Sequence, residues 1–246
     1  MINSYSIILP TLNEQGNIKK VIDELVKVFK KDKYEIIIVD DHSGDRTVEI
    51  ASQLSKKNSK IKIEVLYGKR SLVNSLNKGI QIASYNKVIW LDVDMSHPPR
   101  ELRKIKKSSM HSLDLIVFSR FLKESQRYYV SSNFEKTFVD NLSIFLNKIC
   151  QNLLFKDFTD YTSGFICINK SIFKDYKLYG YYGDYFINLI TYCKLKKLMI
   201  KEIPFKELPR FSGYSKTIFG KISFLTKCFF YMRTLLISYI KKTLIK

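Results

Sequence analysis

Short apolar runs rich in β-branched residues alternate with segments of mixed polarity along the first half of the chain. The runs cover residues 6–9, 35–39, 61–66, 88–91 and 115–118. Between the first two, the apolar residues recur at the 3.6-residue period of an amphipathic helix: Ile18, Val21, Ile22, Leu25, Val26 and Phe29. The pattern predicts strands alternating with helices, and Thr11 with Glu14 fits a capping box at the entry to the first helix.

Strands that are apolar along nearly their whole length, joined through helices, are typical of a sheet covered on both faces. The sequence therefore predicts an α/β fold with a mostly parallel central sheet flanked by helices. In such sheets ligands bind outside the carboxyl ends of the strands. The residues that directly follow each predicted strand are the place to look for chemistry.

Those residues are acidic after three of the strands. Glu14 follows the first strand, Asp40 and Asp41 follow the second, and Asp92 and Asp94 follow the fourth. Carboxylates gathered at one edge repel one another unless a cation or a ligand offsets them. Because oxygen ligands suit hard divalent ions, the pattern predicts Mg²⁺ or Mn²⁺ at this edge.

An alternative interpretation is that acidic and hydroxyl residues after strands simply cap the next helix. We favour that interpretation for Ser43 and Asp45. For Asp92 and Asp94 we favour metal binding, because Pro98 follows shortly and, with the next proline, blocks a helix there.

Composition narrows the class of protein. The chain has 246 residues, 46% of them hydrophobic, with nine Gly and five Pro, which excludes a disordered or collagen-like chain and favours one sizeable domain with a short appendage. The four cysteines have neither C-x-x-C spacing nor a neighbouring His, so we predict buried free thiols. The first residues carry no signal-peptide pattern, which favours a cytoplasmic location.

The charge is strongly unbalanced, with 42 Lys and Arg against 23 Asp and Glu, a formal net charge of +19. Such an excess favours a polyanionic partner, which could be nucleic acid, an anionic membrane surface or a phosphate-bearing substrate.

Five motifs, in order and spacing, resemble those of the family 2 inverting glycosyltransferases of the GT-A fold. They are residues 7–14, 38–47, 91–99, 160–165 and 210–216. Within that family they look most like the dolichol-phosphate mannose synthase and polyprenyl-phosphate glycosyltransferase branch. The resemblance implies a GT-A catalytic domain at residues 1–217, leaving residues 218–246 as a C-terminal amphipathic helical appendage.

The resemblance also implies a nucleotide-sugar donor. Pro10, Leu12 and Glu14 would line the pocket for the base and ribose. Asp40 would accept a hydrogen bond from the ring N–H of uracil or guanine.

The D-x-D motif would hold the metal of the donor site. Asp92 and Asp94 would bind a divalent ion that bridges the diphosphate and stabilises the leaving group, with Ser96 reaching the ion through water. Three later residues would close over the same phosphates: Arg210, Ser215 and Lys216.

The acceptor decides whether a base is needed. A polyprenyl phosphate is already anionic, whereas a sugar hydroxyl must lose a proton to a carboxylate. The resemblance implies that Arg120 contacts acceptor phosphate, and Arg127 and Asp184 are further acceptor-site candidates. Asp160 would orient the acceptor or act as base, so Asp94, Asp160 and Arg120 are the candidate catalytic residues.

The C-terminal segment is basic and apolar. Residues 208–246 contain eight Lys and Arg and no acid. Lys227 and Arg233 interrupt the apolar stretch at residues 222–240, and charges are costly at a bilayer centre. We expect one or two interfacial helices on anionic lipid; the alternative is a helix packed on the catalytic domain.

Three functions are compatible with these features of the sequence. The first is a peripheral enzyme on the cytoplasmic face of the membrane that moves a sugar from a UDP- or GDP-sugar to a polyprenyl phosphate. The second is a transferase of the same fold that acts on a saccharide hydroxyl in cell-surface glycan assembly. The third, a non-catalytic nucleic-acid-binding protein, is disfavoured because the chain has no recognisable nucleic-acid motif and its acidic strand ends would repel phosphate.

Overall fold

Seven strands form one sheet in the computed structural model, which describes residues 4–127, 134–213 and 221–244. The strands are β1 Ser4–Thr11, β2 Lys33–Asp40, β3 Ile61–Val65, β4 Lys87–Trp90, β5 Leu115–Ser119, β6 Ile166–Asn169 and β7 Ile200–Pro204. The helices are α1 Ile18–Phe29, α2 Thr47–Lys57, α3 Leu72–Ile82, α4 Phe134–Leu153, α5 Tyr185–Leu195 and α6 Lys221–Leu244. Short 3₁₀ helices cover Pro99–Lys106, Ser108–Met110 and Lys170–Lys174.

The strand order across the sheet is β3-β2-β1-β4-β6-β5-β7. Every pair is parallel except those that β6 makes with β4 and β5, which are antiparallel. The α/β class and the five predicted strands are confirmed. β6 and β7 were not predicted as strands.

Both faces of the sheet are covered, which explains the apolar strands. On one face, α1 and α2 bury the side chains of Ile7 and Leu9, and on the other, α3, α4 and α5 bury Ile8 and Val88. Successive side chains of a strand point to opposite faces, so a strand enclosed on both sides has no polar face.

The entry to α1 differs from the prediction. The helical period is confirmed, but the capping box is wrong because Thr11 is the last residue of β1 and its hydroxyl donates to Asp40. The chain then turns, with the Glu14 carbonyl accepting from the backbone N–H groups of Asn17 and Ile18, both at 2.9 Å. Thr11 and Glu14 therefore have the sequence spacing of a capping box without its hydrogen bonds.

The cysteines are free, as predicted, but only three of them are buried. Cys150, Cys167 and Cys193 lie in the core, while Cys228 is half-buried on α6. Burial raises the pKa of each of the three core thiols to about 12, so they stay protonated at neutral pH.

Helix α6 has a packed face and an exposed face. Leu235 and Ser238 are buried against the catalytic domain, and Phe230 stacks on Tyr181 with ring centroids 3.8 Å apart. This packing is the arrangement that the alternative interpretation of the tail described.

The exposed face carries six apolar side chains at helical spacing, here called the outer stripe, with exposed fractions of 46–79%. It comprises Leu225, Phe229, Met232, Leu236, Ile240 and Leu244. Across the described residues, no helix is both long enough and apolar enough to cross a membrane.

Candidate active site

The turns that follow β1, β2 and β4 meet at the carboxyl edge of the sheet. Thr11 and Asp40 are the last register pair of β1 and β2. Each turn holds a non-glycine residue in the left-handed region, at Asn13 (φ 52°), His42 (φ 58°) and Met95 (φ 71°). Such backbone conformations are costly and concentrate at functional sites, so this edge is the candidate active site.

Asp40 is fully buried and fixes the turn after β2. Its carboxylate accepts from the Thr11 hydroxyl at 2.8 Å and from the backbone N–H and hydroxyl of Ser43 at 2.7 and 2.6 Å. The capping interpretation is wrong for Ser43, whose hydroxyl donates to Asp40 and accepts from the backbone N–H of Asn13 at 2.8 Å. Asp45 does accept from the backbone N–H and hydroxyl of Thr47, the first residue of α2.

Glu14 joins the turn after β1 to neighbouring elements. Its carboxylate accepts from the Asn17 side-chain amide at 2.7 Å, and its backbone N–H donates to the Thr47 hydroxyl at 2.7 Å. Pro10 is the penultimate residue of β1 and Leu12 directly follows the strand, and both are half-buried. The four residues predicted for the nucleotide pocket therefore lie at or just beyond the carboxyl ends of two adjacent strands.

The sequence analysis missed the contribution of the segment after β3. Asp41 accepts from the backbone N–H of Ser71 at 2.6 Å, and Arg70 donates to the carbonyl of His42 at 3.1 Å. The Tyr67 ring lies edge-on to His42, with centroids 5.2 Å apart. The signal in the sequence is their position directly after a predicted strand, although they are not acidic.

The two D-x-D carboxylates lie in different environments. Asp94 is buried; its Oδ1 accepts from the backbone N–H and hydroxyl of Ser96 at 2.9 and 2.5 Å, and its Oδ2 lies 2.6 Å from Arg210 Nη2. The Asp92 side chain is 55% exposed, and its backbone N–H donates to His97 Nδ1 at 3.1 Å. One carboxylate therefore faces the open edge while the other is held by a cation of the protein.

This donor set fits a divalent ion that is bound together with a phosphate ligand. Within the described ranges, no three His, Cys, Asp or Glu side chains form a ready metal cage. Mg²⁺ and similar ions, however, commonly use one or two carboxylates and complete their shell with water and substrate phosphates. Asp94 already binds a cationic group, the Arg210 guanidinium, so the local structure accommodates positive charge at this carboxylate.

Arg120 and Asp160 form a buried ion pair. Arg120 donates from Nε and Nη2 to the two carboxylate oxygens of Asp160 at 2.9 and 2.8 Å, and also to the Thr162 hydroxyl at 2.7 Å. Burial by itself would raise the pKa of Asp160, but the Arg120 guanidinium holds that pKa below its usual range. Asp160 is therefore ionised at neutral pH and committed to Arg120.

A second carboxylate, that of Glu202, holds the backbone on which Asp160 lies. Glu202 on β7 accepts from the backbone N–H groups of Asp160 and Thr159, at 2.9 and 2.7 Å. Burial raises the pKa of Glu202. Sequence reasoning did not single out Glu202, whose only signal is an acidic residue inside an otherwise strand-like run.

The other acceptor-side candidates separate into two places. The Arg127 guanidinium lies 4.8 Å from the ring centroid of Phe121, and that of Arg120 lies 5.6 Å from the same ring, so the two arginines are neighbours. Asp184 has no exposed surface and accepts from the Thr234 hydroxyl on α6 at 2.9 Å. Ser215 and Lys216 lie outside the described residues.

A mostly parallel sheet whose acidic turns meet at the carboxyl edge and carry a D-x-D pair defines the GT-A class of glycosyltransferases. Within that class the chain belongs to glycosyl transferase family 2, because the sequence model of that family matches residues 6–177. The resemblance found in the motifs is confirmed, and the nucleic-acid-binding alternative is left without support.

One relative comes from the branch that the motifs indicated. The chain is 27% identical over 211 residues to dolichol-phosphate mannosyltransferase from Pyrococcus furiosus, which covers 86% of this chain and 58% of that protein. The chain thus spans little more than half the length of this relative.

Solved structures of glucosyl-3-phosphoglycerate synthase from Mycobacterium tuberculosis share the fold. The complex with uridine diphosphate has a TM-score of 0.67 at 16% identity, over 96% of this chain and 80% of that one. The complex with Mn²⁺, uridine diphosphate glucose and phosphoglyceric acid has a TM-score of 0.66 at 16% identity, over 96% and 79%. Divalent metal use together with a nucleotide sugar therefore occurs in this fold.

Proposed function

We propose that this protein is an inverting, metal-dependent glycosyltransferase that moves one sugar from a UDP- or GDP-sugar to a polyprenyl phosphate at the cytoplasmic face of a membrane. The observation that carries the proposal is the carboxyl edge of the sheet, where Asp40 ends β2 and Asp92 and Asp94 follow β4, beside turns held in costly backbone conformations. Ligands of open α/β sheets bind outside the carboxyl ends of the strands, and membership of glycosyl transferase family 2 makes a sugar donor the expected ligand.

For the donor, the chain supplies a base-recognition carboxylate and a metal-binding carboxylate pair. Asp40, oriented by Thr11 and Ser43, would accept from the ring N–H of uracil or guanine, with Pro10, Leu12 and Glu14 around the nucleoside. Mg²⁺ or Mn²⁺ held by Asp92 and Asp94, with Ser96 acting through water, would supply positive charge to the departing nucleoside diphosphate. Arg210, Ser215 and Lys216 add donors to the phosphates.

For the acceptor, the contacts of the two candidate bases favour a group that is already anionic. Asp160 is paired with Arg120, and Asp184 is fully buried against Thr234, so neither carboxylate is free to take a proton from a hydroxyl. A phosphate oxygen needs no such base. Arg120 and Arg127, which are neighbours at the Phe121 ring, would bind the acceptor phosphate, with Asp160 holding Arg120 in position.

The outer stripe of α6 supports action at a membrane surface. Its apolar side chains are exposed on a helix whose opposite face is anchored to the domain, and Arg233 lies exposed on the same helix. Apolar side chains flanked by basic residues are typical of helices that lie in the interface of an anionic bilayer. A lipid-linked acceptor would be reached from that surface.

The test is a product assay with a panel of UDP- and GDP-sugars, Mn²⁺ and short-chain polyprenyl phosphates. We expect a glycosyl phospholipid from one donor, loss of at least about a hundredfold in rate for Asp94→Ala, and near wild-type rate for Arg103→Gln, an exposed control on the Pro99–Lys106 helix. Undiminished product from Asp94→Ala with chelator present would overturn the donor assignment.

The pH profile separates the two acceptor classes. Transfer to a phosphate should show no ascending limb from a carboxylate base near neutral pH. A clear limb that disappears in Asp160→Asn or Asp184→Asn, with product formed on a saccharide hydroxyl, would replace this proposal with the glycan-assembly alternative.

A further inference from the structure

The segment that leaves β7 crosses the carboxyl edge and is here called the strap, residues 208–213. On one side it pairs with the D-x-D turn: the backbone N–H of Leu208 donates to the Ser96 carbonyl at 3.2 Å, and that of Phe211 donates to the Asp94 carbonyl at 2.9 Å. These backbone bonds hold the strap on the turn that carries the candidate metal ligands.

On the other side the strap reaches the start of α1. The Asn17 side-chain amide donates to the Ser212 carbonyl at 3.1 Å, and Lys20 Nζ lies 3.4 Å from the ring centroid of Phe211. Gly16 lies so near that a Cβ added there would be 2.6 Å from the Ser212 hydroxyl oxygen. The strap therefore bridges the turn after β4 and the start of α1.

Arg210, in the middle of the strap, occupies the one oxygen of Asp94 that the D-x-D turn leaves open. Oδ1 of Asp94 is taken by Ser96, and Oδ2 lies 2.6 Å from Arg210 Nη2. A guanidinium and a divalent ion compete for that position, because two cations held on the same oxygen repel each other at close range. Arg210 in this position therefore weakens metal binding at Asp94.

We propose that Arg210 acts as an exchangeable cation, which blocks metal binding at Asp94 until the donor arrives and then transfers from the carboxylate to the donor diphosphate. The diphosphate provides what both cations need: oxygen ligands that complete the metal shell, and an anion with which arginine forms charge-assisted bonds. Metal and nucleotide would then bind together rather than in either order. This inference rests on the metal-dependent donor site of the proposed function.

The test measures Mn²⁺ binding directly, by the loss of the electron paramagnetic resonance signal of free Mn²⁺ on titration, so it does not depend on activity. Without nucleotide, we expect Arg210→Gln to bind Mn²⁺ about tenfold more tightly than the wild type. With saturating UDP or GDP, the advantage should vanish or reverse, because Arg210 then contributes to the diphosphate. An advantage of Arg210→Gln that is present without nucleotide and lost with it is the signature of exchange.

Two matched variants make the result specific. Arg100→Gln removes the same charge from an exposed position four residues beyond Ser96 and should bind Mn²⁺ as the wild type does. Phe211→Ala loosens the strap through Lys20 while keeping Arg210, and should give a smaller gain in the same direction. Thermal denaturation establishes that each variant is folded.

The outcomes separate the inference from the function beneath it. If wild type binds Mn²⁺ only with nucleotide, and Arg210→Gln gains nothing without it, the exchange is overturned while the metal site stands. If Asp94→Asn binds Mn²⁺ with nucleotide as well as the wild type does, the metal assignment fails, and the exchange fails with it.

Discussion

At the scale of single residues, the site contains one buried ion pair, in which Arg120 compensates the charge of Asp160. The Asp160 carboxylate has no exposed surface and depends on Arg120 for its charge compensation, and the Arg120 side chain is itself only 16% exposed. Replacing pairs of this kind one partner at a time is costly because a charge is left buried without its counter-ion.

Asp160→Asn should lower the free energy of unfolding at pH 7 by about 3–5 kcal/mol, because Arg120 keeps its charge and loses its partner. Asp23→Asn is the matched control, since it removes the same charge from an exposed pair with Lys19 and should cost less than about 1 kcal/mol. Urea denaturation of both variants measures the difference. Equal losses in the free energy of unfolding for the two variants would mean that the buried pair stabilises the fold no more than the exposed one.

The same pair predicts a pH dependence. Because the folded pKa of Asp160 lies below its ordinary value, its stabilising contribution is complete above about pH 5, since the ordinary value is about 3.9, and is lost as the pH falls through the lower folded pKa. The stability gap between wild type and Asp160→Asn should thus be flat from pH 7 to about pH 5 and narrow below about pH 4. A gap that widens on acidification would contradict the ionised assignment.

At the scale of elements, α6 is attached to the domain through a buried polar contact. Asp184 accepts from the backbone N–H groups of Tyr181 and Tyr182 at 3.0 and 2.6 Å and from the Thr234 hydroxyl of α6 at 2.9 Å. Asp184, a candidate for the acceptor site, therefore ties a loop and α5 to the C-terminal helix.

Thr234→Val keeps the shape of the side chain and removes the donor to Asp184. We expect a loss of about 1–3 kcal/mol, because a buried carboxylate oxygen loses its partner, and a fall in Tm of about 2–4 °C for each kcal/mol. Thr243→Val, at an exposed position of the same helix, should stay within about 0.5 kcal/mol of the wild type. Calorimetry of the two variants compares them directly.

Local sequence patterns predicted some strands of the sheet and not others. β1 to β5 were predictable because each is an apolar run beside a turn or a helix. β6 is only Ile166–Asn169, and its antiparallel place between β4 and β5 depends on strands more than 45 residues earlier in the chain. Its pairing is a long-range choice that a local pattern cannot encode.

At the scale of the whole molecule, the net charge of +19 is unevenly distributed between the C-terminal segment and the carboxyl edge of the sheet. Eight of the Lys and Arg fall in residues 208–246, where no acid offsets them, while the acids Asp40, Asp92 and Asp94 gather at the carboxyl edge. An anionic surface is therefore attracted to the C-terminal segment, whereas the acidic edge needs cations before it can receive a diphosphate.

Replacing Phe229 and Leu236 together by Ser should weaken binding to phosphatidylglycerol vesicles by about tenfold or more, since burying either side chain contributes about 1.5–3 kcal/mol. Both residues lie on the outer stripe, so Tm should hardly change. Met199→Ser, which removes a similarly exposed apolar side chain outside α6, is the control. Co-sedimentation measures binding; equal binding by all three proteins would exclude the stripe as a membrane contact.

The sequence by itself determined the α/β class, the five leading strands, the acidic carboxyl edge and the family, because period, strand ends and motif order are local properties of the chain. Only the tertiary structure decided how those residues are used. Asp160 and Asp184 are similar carboxylates in sequence, yet one pairs with Arg120 and the other anchors α6. Arg210 lies on Asp94 across 116 positions of chain. The burial of a side chain and its partners from distant segments decide its charge state and which groups it can contact. Burial and such partners arise only when distant segments of the chain fold together.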